Sequence, residues 1–238
     1  SAAFPISAVG AALGSVLGVG PAEVAATLQT LNRTAAEIAS VLDEQFGVDG
    51  AAWVAIADAI DLGVAAIAEG LREAYDAAAE VVVGLLYDIG ATAEEIGPAV
   101  QAAFEDAIGW TDQALADALY AAGLDPAEIA RSLQAALDAS LTEVALALDE
   151  LGVAAEVIAD TLVATFAPLA NELADVLVDA LGVDPAELVE ALESLYGLAT
   201  DAIADVLGDL GIDTAELGEF FAGFAEDAAE LFDPTNWI

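Results

Sequence analysis

The chain has no cysteine, histidine, methionine or lysine, and its cations are Arg33, Arg72 and Arg131 alone. Without Cys or His there is no disulfide, no thiolate or imidazole metal ligand, and no Ser-His or Cys-His nucleophile. Three arginines against 43 acidic residues give a formal charge of −40. Phosphate backbones are bound by Lys and Arg that displace counterions, so nucleic acid is excluded as an expected partner, and an anionic membrane surface is disfavoured for the same reason. Paired carboxylates such as Glu94/Glu95 or Asp149/Glu150 could serve as acid and base in glycoside hydrolysis. Among 43 acids such pairs arise by chance, and the expectation is a chain that is not an enzyme. No D-x-[DN]-x-[DN]-G loop is present, so the acids imply no specific metal or other cofactor, only diffuse monovalent or divalent counterions.

Long hydrophobic runs are also missing. Residues 1–22 carry no charge, but the stretch between Pro5 and Pro21 is only 15 residues. As a helix it would reach roughly 22 Å, against ~30 Å of hydrocarbon, so no transmembrane span is expected. Nor does any run of Val, Ile or Thr bounded by turn residues read as a strand.

What is present is a recurring phrase in a chain of 238 residues that is 58% hydrophobic, enough to fold. Gly123 opens "GLDPAEIARSL", Gly182 opens "GVDPAELVEAL", and Gly211 opens "GIDTAELGEFF". In each phrase the Asp is an N-cap acceptor and Glu three residues after the cap can reach back to the cap amide, while Pro126 and Pro185 fit the first helical position, which Thr214 takes in the third. Asp125/Glu128, Asp184/Glu187 and Asp213/Glu216 are therefore capping pairs. Gly20-Pro21-Ala22-Glu23 and Thr92-Ala93-Glu94-Glu95 are weaker relatives. The glycine before each phrase can close the preceding helix in a left-handed cap.

Apolar residues after these starts recur at helical spacing, as in Leu188, Leu192 and Leu195, and a second stripe comes after Gly197. One unit is two short helices. Gly90, Gly123, Gly152, Gly182 and Gly211 are 33, 29, 30 and 29 residues apart, and Gly18 to Gly47 is again 29. Such a period marks a tandem array. Residues 47–62 read as an unpaired helix before a further unit at Gly63, a single break in register. The fold class expected is all-α, with two-helix repeats of about 30 residues stacked as an α-solenoid-like array.

The phrases "GLDPAEIARSLQAAL" and "SLTEVALALDELG" resemble Ala/Leu-rich two-helix tandem repeats of large bacterial surface and secreted proteins, most closely over residues 90–217. Acids or Ala stand here where those repeats carry Lys. The resemblance implies a helical array and supplies no catalytic residues.

The division expected is an uncharged head at 1–22, a repeat array at 23–210, and a last repeat at 211–238 with an aromatic end. Gly10, Gly14 and Gly18 form a small-residue face along which another backbone can come close. Beside them stand Phe4, Ile6, Val9, Leu13 and Leu17, and the other end carries Phe220, Phe221, Phe224, Phe232, Trp237 and Ile238. A self-contained array needs polar terminal caps. These two apolar ends are instead the expected assembly interface between copies of the chain, joined head to tail. A start at Ser1 in place of Met fits removal of a leader, and so an extracellular or cell-surface location. Arg33, Arg72 and Arg131 are expected to pair locally with Glu37, Asp76 and Glu128, and Trp53 and Trp110 to fill the core or a helix junction.

The function expected is a salt-adapted structural subunit of an extracellular filament, sheath or surface layer. Two alternatives stand beside it, a monomeric carrier or amphiphile that binds lipid or another hydrophobic ligand between its helices, and an acidic helical-repeat scaffold for a cationic partner.

Overall fold

One residue with a positive φ separates almost every helix from the next, and these residues set the register of the chain. Glycine fills the position at Gly18, Gly47, Gly90, Gly123, Gly152, Gly182 and Gly197, whereas Asn32, Asp61, Asp76, Asp138 and Ala167 fill it elsewhere. Asn and Asp enter the left-handed region at modest cost because their short polar side chains bond to local backbone. The structure, a computed structural model, describes residues 6–16, 18–108 and 110–212. All regular structure among them is helical.

Two compact units divide the chain, Ser1–Ser140 and Leu141–Ile238. The first holds α1 (Ile6–Ala11), which runs into a π-helical turn at Ala12–Val16, then α2 (Pro21–Thr30), α3 (Ala35–Phe46), α4 (Gly50–Ala59), α5 (Val64–Tyr75), α6 (Ala79–Asp88), α7 (Ala93–Phe104), α8 (Asp112–Ala121) and α9 (Pro126–Leu137). The second holds α10 (Leu141–Glu150), α11 (Ala155–Phe166), α12 (Ala170–Asp175), which continues as a π-helical turn at Val176–Ala180, α13 (Pro185–Tyr196) and α14 (Thr200–Asp209).

Ten-residue helices alternate with twelve-residue helices from α2 to α11. The expected break at residues 47–62 is absent, for α4 packs on α5 as α2 packs on α3. Glycine spacing suggested a break because Asn32 and Asp61 occupy the turns where later pairs use Gly90 and Gly123. Real departures lie elsewhere. Four extra residues enter between α7 and α8, and one extra residue is absorbed in the π-helical turn after α12.

In the first unit α1 packs on α3, α3 on α5, α5 on α7 and α7 on α9, while α2 meets α4, α4 meets α6 and α6 meets α8. Of the uncharged stretch 1–22, the described helix α1 lies against α3. Matching positions supply the core, with Ile38, Ile67, Ile96 and Ile129 one turn before Leu42, Leu71, Val100 and Leu133. On the shorter helices Val24, Trp53, Val82 and Leu115 precede Leu28, Ala57, Leu86 and Leu119. The second unit repeats the scheme with Ile158/Leu162, Leu188/Leu192, Val144/Leu148 and Leu173/Leu177. Burying each large aliphatic side chain contributes about 1.5–3 kcal/mol, so the stripes hold the helices together.

Small residues decide how closely neighbours approach. A β-carbon on Gly97 would lie 2.5 Å from the Ser132 carbonyl oxygen, so α7 and α9 cross backbone to backbone there. Trp53 is fully buried, and its indole fits over Gly70, where a β-carbon would lie 2.8 Å from Nε1. Among the described residues that Nε1 donor has no hydrogen-bond partner. The expectation of a core role for Trp53 matches this position.

Candidate functional site

The capping pairs behave differently from one another. Asp125 accepts from the Glu128 amide at 2.8 Å, and the Asp125 amide donates to Glu128 Oε2 at 2.9 Å. Thr34 and Glu37 make the same reciprocal pair, while the Thr92 and Gly20 amides donate to Glu95 and Glu23. Asp184 instead accepts from the Ala186 amide at 2.8 Å and makes no reciprocal pair with Glu187, which is left exposed. Asp213 and Glu216 lie outside the described residues.

At the first end, Gly10 is buried against Val41, and a β-carbon on Gly14 would lie 2.6 Å from the Phe46 ring. The small-residue face expected to meet another copy is thus occupied at these two positions by α3 of the same chain. Packing on α3 gives the head apolar cover locally. Gly18 is a left-handed turn residue and exposed, while Ile6, Val9 and Leu13 keep part of their surface in solvent. Phe4, Leu17, Phe220, Phe221, Phe224, Phe232, Trp237 and Ile238 lie outside the described residues.

The arginines also depart from local pairing. Arg33 lies 3.7 Å from Glu37 as expected, but Arg131 pairs across helices with Glu94 at 3.0 Å in place of Glu128. Glu128 is engaged by its cap. Arg72 sits over the Phe104 ring, 5.7 Å from its centroid. Asp76, its expected partner, is the left-handed residue beyond the end of α5, off the helical i+4 position. Phe104 also stacks on Trp110 at 5.1 Å, and Trp110 Nε1 donates to Gln101 Oε1 at 2.7 Å. Trp110 therefore fills the junction made by the four extra residues, and Ile108 beside it is fully exposed.

Three tyrosines titrate high. The Tyr75 phenol is pushed up to about 12 by burial first and then by the charges of Asp43 and Asp49. Its hydroxyl donates to the Ala39 carbonyl at 3.4 Å. Tyr87 is raised by its hydrogen bond to Glu128 and by that residue's charge. Tyr196, which donates to the Pro168 carbonyl, is raised by burial and then by Glu172.

In the second unit a groove of about 550 Å³ opens between α11 and α13. Leu177, buried in the π-helical turn after α12, forms its floor together with Ala159, and Ala155, Ala191 and Leu195 add apolar wall. Its rim is acidic, with Glu156 and Asp160 from α11 and Glu187 and Glu190 from α13. Sequence reasoning missed this groove. The signal lay in the register, because Glu190 stands on α13 where Arg131 stands on α9, each the sixth residue of a helix that begins at Pro185 or Pro126.

Among the described residues, no cluster of acidic side chains is placed to hold a metal ion, and no helix is long and apolar enough to cross a membrane. Comparison with protein-family models, curated proteins and solved structures gave no match.

Proposed function

We propose that the chain is a non-catalytic structural subunit, a stack of two-helix repeats that extends end to end through contacts with further copies of itself outside the cell. The observation that carries this reading is the register of the buried stripes. Ile38, Ile67, Ile96 and Ile129 occupy one position on successive long helices, each with a neighbour of its own kind. A stack built this way has no internal reason to stop. Contact between unlike ends is heterologous, so it propagates without closing. The partly exposed Ile6, Val9 and Leu13 are the described apolar residues at the first end available to such a contact. A charge of −40 opposes association at low ionic strength, so assembly needs screening.

Electron microscopy and sedimentation of the chain at ~0.01 M and ~1 M salt test this, since the Debye length falls from about 30 to about 3 Å over that range. Threads or long oligomers at high salt that dissociate on desalting support the reading. A monomer at every salt and protein concentration overturns it. The groove between α11 and α13 favours a second reading, that of an acidic scaffold for cationic partners.

A further inference from the structure

The α7/α9 pair and the α11/α13 pair are equivalent places in the fold, and the residues on their facing positions explain the groove. On α7, Ala93, Glu94 and Gly97 are the first, second and fifth residues, and on α11 the same places hold Ala155, Glu156 and Ala159. On α9, Arg131 and Ser132 are the sixth and seventh residues, and on α13 these are Glu190 and Ala191. In the first pair Arg131 bonds Glu94 at 3.0 Å, and the Ser132 hydroxyl donates to the Ala93 carbonyl at 2.6 Å. In the second pair both polar links are gone. A carboxylate faces the position of a carboxylate, and Ala191 has no hydroxyl to donate. α11 and α13 accordingly meet over much less of their length than α7 and α9. Leu177 and Ala159 close the bottom of the gap as buried core residues, and the partly exposed Ala155, Ala191 and Leu195 line its sides.

We propose that this groove is the docking site of a basic amphipathic helix from another protein. Its apolar face lies on the partly exposed Ala155, Ala191 and Leu195, and an Arg or Lys enters between Glu156 and Glu190 to do what Arg131 does between α7 and α9. The mode is a helix laid in a groove between helices, read by apolar anchors and a charged rim. Charge complementarity selects the occupant. A second copy of this chain is a poor one, since it brings the same −40 and three arginines, of which Arg33 and Arg131 already hold carboxylates. The rim cannot close on itself either, because like charges across the groove repel. This inference rests on the scaffold reading and is independent of end-to-end assembly.

The test is fluorescence anisotropy with a labelled synthetic amphipathic peptide, Arg on one helical face and Leu on the other, titrated with the full chain at ~0.15 M salt, where the Debye length is about 8 Å. Glu190→Arg supplies the missing cation from within and should weaken binding by roughly tenfold or more, as expected when a charge facing the partner is reversed. Glu44→Arg makes the same change of net charge on an exposed position of α3, a helix that contributes no residue to the groove, and should alter affinity by less than about twofold, the small effect of a screened charge outside the site. Equal weakening by both variants would show diffuse attraction to an acidic surface and would overturn the proposal, as would no binding by the parent chain. Displacement of the peptide by spermine at equal concentration would overturn the apolar half of it. If circular dichroism shows that Glu190→Arg does not fold, the Glu156→Gln/Glu190→Gln double variant decides, with retained affinity counting against the site. Sedimentation of the same samples without peptide reports on assembly separately, so a failure of one reading is distinguishable from a failure of the other.

Discussion

The Ser132 hydroxyl donates to the carbonyl of Ala93, 39 residues earlier, at 2.6 Å, and this buried bond ties α9 to the first turn of α7. Beside it Gly97 leaves only enough room for the Ser132 backbone. Gly97→Ala should cost about 1–3 kcal/mol because the helices must part or shift to admit the methyl group. Ser132→Ala should cost about 1 kcal/mol, the net contribution of one buried hydrogen bond. Urea unfolding of both variants measures this, and an unchanged midpoint for Gly97→Ala would contradict the close crossing.

Ala167 holds a φ of 47° at the turn between α11 and α12, where the other turns of the second unit use Gly152, Gly182 and Gly197. An L-residue with a β-carbon is disfavoured there by ~1–2 kcal/mol. Ala167→Gly should therefore stabilise the chain by about 0.5–1 kcal/mol once the extra freedom of glycine in the unfolded state is counted. Gly152→Ala should move the melting temperature the other way.

Tyr75 should ionise near pH 12 in spectrophotometric titration of the folded chain, against 10.0 for an unburied phenol. The folded state holds the proton more tightly than the unfolded state does, so the stabilising difference is complete below pH 10 and is lost as pH rises towards 12. Tyr75→Phe should flatten the alkaline fall in stability across that window. An equally steep fall in the variant would assign it to other groups.

Trp110 covers Phe104, which is only 9% exposed although the regular helix ends there. Trp110→Ala should cost ~1–2 kcal/mol through the lost stacking and the uncovered ring. Native-state hydrogen exchange should speed up around the end of α7 and the start of α8 and leave α3 unaffected. Uniform acceleration across the first unit would show that the junction supports more than its own surroundings.

Local chemistry was legible in the chain, and longer-range relationships were not. The cap at Asp125/Glu128 could be read because donor and acceptor lie three residues apart and meet whenever the helix starts. The same phrase at Asp184 misled in part. Its Asp bonds one residue earlier, at Ala186, and Glu187 stands on the rim of the groove. The register was misread at 47–62 because Asn32 and Asp61 adopt the backbone that glycine spacing was used to trace. Gly10 and Gly14 read as a face for another backbone, and sequence could not show that Val41 and Phe46 fill it.

By itself the sequence determined the helical character, the capping pair at Asp125/Glu128 and the glycine turns, because caps, apolar spacing and left-handed residues act within a few positions along the chain. Only the tertiary structure decided which side chains face each other across 29 to 39 residues. That choice places Arg131 opposite Glu94 and Ser132 beneath Ala93, and it leaves Glu156 and Glu190 across an open groove. The physical reason is that a helix fixes only the face on which a residue lies. The neighbour brought to that face depends on how the helices stack.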